Sequence, residues 1–344
     1  MVIATAVVGA SGYSGGELLR LLSKHPDMEV ALACAGTHAG EFITDVHPGL
    51  LDFEDVAFEV TDVARLAELD LVFIALPHGE SAAVTELLPD SVKIVDLGAD
   101  HRLADGRAWD AYYGGGVMAP QWTYGLPELP GRRELIAESS RVANPGCYAT
   151  AVELSLAPLV ASNLIESDAI VVVAASGTSG AGRKASIGLT ASEVMGSMTP
   201  YKVGGVHQHI AEIEQELSGQ AAGPVTVCFT PLLAPMPRGI IATCTAKLTR
   251  GVAPEQASEA LRGGYRQEPF VRVLRPGRVP STAATLGSNS AVLQLAVDEH
   301  TNQVIVMAAI DNLGKGAAGQ AIQNANIMFG LDQTLGLSSI GVAP

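Results

Sequence analysis

The stretch VIATAVVGASGYSGGELLRLL, residues 2–22, constrains the fold more than any other part of this chain. Its first seven residues are almost all apolar, as in a strand covered on both faces of a parallel sheet. Gly9, Gly12 and Gly15 follow at once, allowing a tight turn and a close approach of backbone to a ligand. Leu18, Leu19, Leu21 and Leu22 then mark a helix that stops at His25-Pro26. A strand, a glycine turn and a helix in this order present free N–H groups at a helix start, which suits a pyrophosphate. Further apolar runs at 29–34, 69–76 and 92–97 continue the alternation. Together they predict an α/β chain that begins with a Rossmann-like, doubly wound parallel sheet.

The second half has a different rhythm. Runs at 169–175, 225–231, 239–248, 270–274, 291–297 and 303–310 read as strands with fewer helices between them. They predict an α+β catalytic domain with a largely antiparallel or mixed sheet. At 344 residues the chain exceeds what one core fills, about 250–300 residues. The expected units are 1–146, a nucleotide-binding domain, and 147–311, a catalytic domain, with a last helical segment in 312–344. The loop-rich stretch 99–146, with its Gly, Pro, Tyr and Trp, is long enough to be functional.

A net charge of −15 argues against a nucleic-acid partner. No apolar run approaches a membrane span of about 18–20 residues, and the N-terminus lacks the basic segment of a signal peptide. Four scattered cysteines, without metal-finger spacing, point to a reducing, cytoplasmic setting and to no structural metal.

Several motifs carry chemistry. The second strand runs out in ALACAGTHAG with no carboxylate before Glu41; a loop holding Thr37 and His38 suits the 2′-phosphate of NADP better than the ribose hydroxyl of NAD. SGTSGAGRKA resembles a phosphate loop, but Arg183 and Ala185 stand where Lys and Ser/Thr are needed. It reads as a turn offering N–H groups and two cations, Arg183 and Lys184, to an anionic substrate. His207 and His209 form an H-x-H pair that suits metal binding, acid/base work or a structural role. Cys147 follows Asn144-Pro145-Gly146 and opens a helix with Val152, Leu156 and Leu159 along one face. There the helix N-terminus lowers a thiol pKa; locally, a nucleophile and a packed thiol both remain open. Cys228 and Cys244 sit in apolar strands and read as core, and Cys34 as packing.

Taken in order, GASGYSG, DLGADHRL, YGLPEL, NPGCYAT, SGTSGAGR, HQH and NLGKGAAGQAIQN resemble the N-acetyl-gamma-glutamyl-phosphate reductases, arginine-pathway relatives of aspartate-semialdehyde dehydrogenase. The resemblance implies reduction of an acyl phosphate by NADP(H) through a thioester on Cys147. It implies a histidine as acid/base, His207 first and His209 next. Cofactor contacts then fall on Gly9, Ser11, Gly12, Tyr13, Ser14, Gly15 and Thr37, on Leu76, Pro77 and His78, and on Ser179, Gly180 and Asn312. Arg102, Asn144, Arg183 and Lys184 are expected at the substrate. The C-terminal helix is expected to return to the NADP-binding domain, and the chain to form a homodimer or tetramer. His101 and Gly98 depart from the residues frequent in the family without removing a chemical group. Alternatives are a carrier-linked aminoadipyl-phosphate reductase, aspartate-semialdehyde dehydrogenase, a metal-binding hydrolase and a non-catalytic NADP sensor.

Overall fold

The computed structural model describes residues 2–114 and 118–343; Gly115, Gly116 and Val117 of the loop-rich stretch, with Met1 and Pro344, lie outside the described residues. The opening strand β1 (Ile3–Val8) pairs in parallel with β2 (Met28–Cys34) and β3 (Leu71–Ile74). The sheet continues through β4 (Lys93–Asp96), β6 (Arg141–Ala143) and β5 (Thr123–Tyr124), all parallel, in the order β2-β1-β3-β4-β6-β5. This is the doubly wound sheet expected from the alternation. Strand β3 is shorter than the apolar run 69–76 because the chain leaves the sheet ahead of Pro77. Strands β5 and β6 escape sequence reading because two or three residues carry no periodicity.

Both faces of this sheet are covered. Leu18, Leu19 and Leu22 of the first helix (Tyr13–Leu22) pack on one face together with Ala321, Ile322 and Ala325 of the C-terminal helix (Gly319–Met328). Leu66, Leu88 and Val92 pack on the other.

The second sheet has seven strands: β7 (Ile170–Ser176), β8 (Thr199–Pro200), β9 (Val227–Leu233), β10 (Ile240–Lys247), β11 (Val271–Val273), β12 (Ala291–Asp298) and β13 (Gln303–Ile310). Their order is β11-β12-β13-β10-β7-β9-β8, mostly antiparallel with two parallel pairs, so the mixed sheet is as expected. One face holds the longest core of the chain, against the helix Cys147–Ala161 and the helix His209–Ser218. The cysteine helix is buried almost all round, which is why its sequence shows no polar face.

The other face is only partly covered. Val171 and Val173 are 44% and 41% exposed, and Ile241, Thr243, Ile305 and Met307 beside them are only partly buried. Cys228 stands in register with Val171 on this face and is exposed. The expectation of a core cysteine fails there because a strand turns alternate side chains to opposite faces. Cys244 and Cys34 are buried, and all four thiols are free. No helix of the described residues is long and apolar enough to cross a membrane.

Candidate active site

The glycine turn sits where the sheet reverses its winding, between β1 and β3. Gly9 has φ +84°, and a Cβ there would lie 2.3 Å from the Ala75 carbonyl oxygen at the end of β3. A Cβ on Gly15 would lie 2.3 Å from the Gly9 oxygen. Only glycine fits either position. The first helix starts at Tyr13 with no side-chain cap on Gly12 and no acidic residue in its first turn, so its leading N–H groups stay free for an anion. Arg183 reaches this turn: Nη1 donates to the Ser11 oxygen (3.4 Å), Nη2 to the Val46 oxygen (2.9 Å), and its guanidinium lies over the Tyr13 ring. The cation read as a substrate ligand thus stands on the nucleotide turn. Lys184 beside it is exposed.

A second group of expected cofactor residues converges from the other sheet. Asn312 Nδ2 donates to Ser179 Oγ (2.9 Å), and its Oδ1 accepts from the Gly239 N–H (2.7 Å). Asp311, one residue earlier, binds Arg238, which also holds Glu17 of the first helix at 2.9–3.0 Å. These guanidinium groups, Arg20 and Arg238, keep the buried Glu17 carboxyl down at about 2 against the opposing effect of burial. The network ties the nucleotide helix to the end of β13. Thr37 is exposed at the end of β2, Leu76 and Pro77 follow β3, and His78 packs edge-on against Tyr113.

Cys147 is half-buried at the start of its helix. Two close contacts define its surroundings. A Cβ on Gly146 would fall 2.5 Å from His209 Nε2, so the imidazole lies directly against the preceding residue. A Cβ on Gly316 would fall 2.8 Å from the Cys147 Cβ, so the π-helical turn Gly314–Ala318 closes the other side. Burial pushes the thiol up to about 11; the N–H groups of Tyr148 and Cys147 and the charge of Arg102 pull it down by less. The expected lowering by the helix terminus is therefore present but outweighed by desolvation.

The two histidines stand in different surroundings. His207 is boxed by the Tyr148, Tyr201 and Phe229 rings, and its Nδ1 accepts the His209 N–H at 3.2 Å. His209 is the one that meets the turn before Cys147, and its buried Nδ1 has no hydrogen-bond partner among the described residues. Burial, His207 and Arg102 hold it well below the usual 6.5, and burial with Lys202 takes His207 to about 4. Both rings are neutral near pH 7.

Arg102 and Asn144 turn inward, in contrast to the substrate role the resemblance implies. Arg102 is 4% exposed; Nε donates to the Asn144 oxygen, Nη2 to the Leu97 oxygen and Nη1 to Glu212. Asn144 donates to the Ala317 oxygen and accepts from Asn324, fixing the turn that faces Cys147. Glu212 was not singled out in the sequence. It accepts the Gly146 N–H at 2.7 Å and the Tyr124 hydroxyl at 2.8 Å. Tyr124 is also 2.8 and 3.0 Å from the two Glu153 oxygens. One hydroxyl proton cannot serve three acceptors, and burial with Glu212 and Glu216 raises Glu153 well above 4.5. In the sequence Glu212 belongs to an acidic helix of ordinary solvated appearance; only its spacing of three from His209 placed both on one face.

Gly316→Ala tests the tight contact at Cys147. Forcing the turn away from the thiol is expected to lower turnover about 10²-fold with cofactor affinity unchanged, as read by steady-state rates and cofactor titration.

A fold with a glycine turn on a parallel sheet, and a cysteine opening a helix beside a buried histidine on a second, mixed sheet, defines a class. Two family models match it in chain order: semialdehyde dehydrogenase, NAD binding domain, over residues 4–139, and semialdehyde dehydrogenase, dimerisation domain, over 147–312. Solved structures of aspartate semialdehyde dehydrogenase share the fold at 16–17% identity. One from Vibrio cholerae gives a TM-score of 0.70 over 96% of this chain and 98% of its own, and one from Candida albicans, with NADP, gives 0.71 over 96% and 99%. Proteins named N-acetyl-gamma-glutamyl-phosphate reductase are far closer in sequence. That of Acidothermus cellulolyticus is 60% identical over 98% of both chains, and those of Salinispora arenicola and Frankia casuarinae are 58% and 57% identical over the whole of both. The chain belongs to the N-acetyl-gamma-glutamyl-phosphate reductase family.

Proposed function

We propose that this protein reduces N-acetyl-gamma-glutamyl phosphate to N-acetylglutamate semialdehyde and phosphate with NADPH, as a cytoplasmic step of arginine biosynthesis. The observation that supports this most is that Cys147 opens its helix directly after Gly146, which the His209 imidazole lies against, with the Gly316 turn close to the Cys147 Cβ. The names of relatives at 57–60% identity supply the substrate, and four free thiols suit a reducing compartment.

The residues present fit the cofactor. The cradle at Gly9 and Gly15, which any Cβ would fill, and the uncapped helix start take the pyrophosphate, with Arg183 beside them. Ser179 and Asn312, which the resemblance places on the cofactor and which hydrogen-bond to each other, would hold its nicotinamide end. At the end of β2 the side chain of Glu41 is turned to His38, which leaves the adenosine ribose without a carboxylate partner and supports NADP. When bound, the cofactor supplies the hydride that reduces the acyl carbon.

The chain's own groups do the rest. The Cys147 thiol gives its proton to neutral His209, and Sγ attacks the acyl carbon as the bond to the phosphate oxygen breaks. The departing phosphate takes that proton from His209, leaving a thioester on Sγ. The N–H groups of Cys147 and Tyr148 stabilise the oxyanion, before and after reduction. The reduced carbon then expels Sγ, and a solvent proton returns to it through His209. Glu212 is a positioning residue here: it fixes the Gly146 N–H and the buried Arg102.

The test is the reverse reaction. NADP reduction is expected to require both phosphate and N-acetylglutamate semialdehyde; equal rates with aspartate semialdehyde, or without phosphate, would refute the assignment.

We further propose that the protein is a homodimer built on the partly covered face of the second sheet. A solvent-facing antiparallel sheet normally carries polar side chains outward, whereas Val171, Val173, Ile241, Ile305 and Met307 are apolar. The family model over 147–312 is itself described as a dimerisation domain. Val173→Glu is expected to yield monomers in light scattering at micromolar concentration, where the parent sequence gives dimers or a multiple of them.

A further inference from the structure

We propose that Lys202 is a substrate-binding residue that takes an oxyanion of the acyl substrate, its phosphate or its carboxylate; this rests on the reaction proposed above. A substrate with two anionic groups needs cations in the cleft. The arginines near Cys147 and the nucleotide turn are already engaged. Arg102 is buried against Glu212 and two carbonyl oxygens, and Arg183 lies on the glycine turn. Arg238 holds Glu17 and Asp311. Lys315 is wholly buried against Glu128.

Lys202 differs from all of these. Its ammonium donates to Gln208 Oε1 at 2.6 Å, a neutral amide, and among the described residues it forms no ion pair. The side chain is exposed. Gln208 lies between His207 and His209 in the chain, and the nearby positive charge adds to burial in keeping His207 neutral. Gln208 precedes the helix His209–Ser218, so the ammonium bonded to it stands at the start of the helix that carries His209.

The backbone is shaped for this. Lys202 has φ +45°, a left-handed conformation that side-chain-bearing residues rarely adopt, and Gly204 and Gly205 follow at +81° and +79°. Either side of this contorted strap is pinned. The Tyr201 N–H donates to the Pro231 oxygen at 3.1 Å, and its hydroxyl to Tyr148 at 3.0 Å. Beyond the glycines, His207 is locked among aromatic rings. The strap thus holds a positive charge, without an ion pair among the described residues, at the start of the helix that carries His209.

The test compares Lys202→Met and Lys202→Arg with the parent enzyme. Lys202→Met is expected to raise the KM for the acyl phosphate by about 10-fold or more, with the Kd for NADPH and the Tm unchanged. Lys202→Arg, keeping the charge, is expected to recover most of the loss. In the reverse reaction phosphate and N-acetylglutamate semialdehyde are varied separately. A KM increase confined to phosphate assigns the phosphoryl group, and one confined to the semialdehyde assigns the carboxylate. Both KM values within about 2-fold of the parent, or equal losses in the Met and Arg variants, would overturn the role of Lys202. A parent enzyme without the reverse reaction would instead overturn the reaction on which the role rests.

Discussion

Cys147→Ser is expected to lose reduction of the acyl phosphate by about 10³-fold or more in kcat/KM while binding NADPH with the affinity of the parent. The reason is chemical. A serine hydroxyl in the same place has neither the acidity to give up its proton to a neutral imidazole nor the leaving ability to be expelled from the reduced carbon. The nucleotide turn lies on another sheet edge and is untouched by the change. Retained NADPH binding, measured by fluorescence titration, separates lost chemistry from lost folding. The same thiol has a pH signature. Burial pushes it up to about 11 in the free protein, so alkylation by iodoacetamide should be slow near neutrality and climb with pH as the thiolate fraction grows. Fast alkylation at pH 7 would mean that desolvation does not dominate at this helix start.

The second large effect belongs to His209. His209→Asn is expected to lower turnover by about 10²–10⁴-fold, whereas His207→Asn should cost less. His209 meets Gly146 and the nucleophile's turn, while His207 is enclosed by Tyr148, Tyr201 and Phe229. The sign of the pH dependence follows from the depressed pKa. A base held well below 6.5 stays neutral through that pH and loses function only under more acidic conditions, so the acid limb of kcat/KM should lie below 6.5 and vanish in His209→Asn. An equal collapse in His207→Asn, with His209→Asn nearly intact, would restore the order read from sequence.

The opening strand, turn and helix were fully legible, because their signals are local: apolar runs, glycines and a Pro stop. The contacts that make Gly9 and Gly15 obligatory are backbone contacts of the same turn and the adjacent strand. The position of Cys147 at a helix start was legible for the same reason. What the motifs could not convey was direction. Arg102 and Asn144 stand in recognisable blocks, yet both turn inward to hold Glu212 and the Ala317 turn. Glu212, Tyr124 and Glu153 come from three distant segments, and a glutamate on an acidic helix looks solvated until the fold covers it. Cys228 went the other way, since an apolar strand does not show which of its faces lacks a cover. The helix terminus that lowers the thiol's pKa is visible in sequence, whereas the burial that raises it further is not.

The most direct measurement of the central claim is a trapping experiment without cofactor. The protein is mixed with N-acetyl-gamma-glutamyl phosphate, quenched in acid and digested, and the peptide containing Cys147 is examined by mass spectrometry. Phosphate is expected to be released together with the appearance of one N-acetylglutamyl group on Cys147, removed by hydroxylamine and absent in Cys147→Ser. An acyl group on another residue, or full turnover with NADPH by a protein that never acylates Cys147, would contradict the claim.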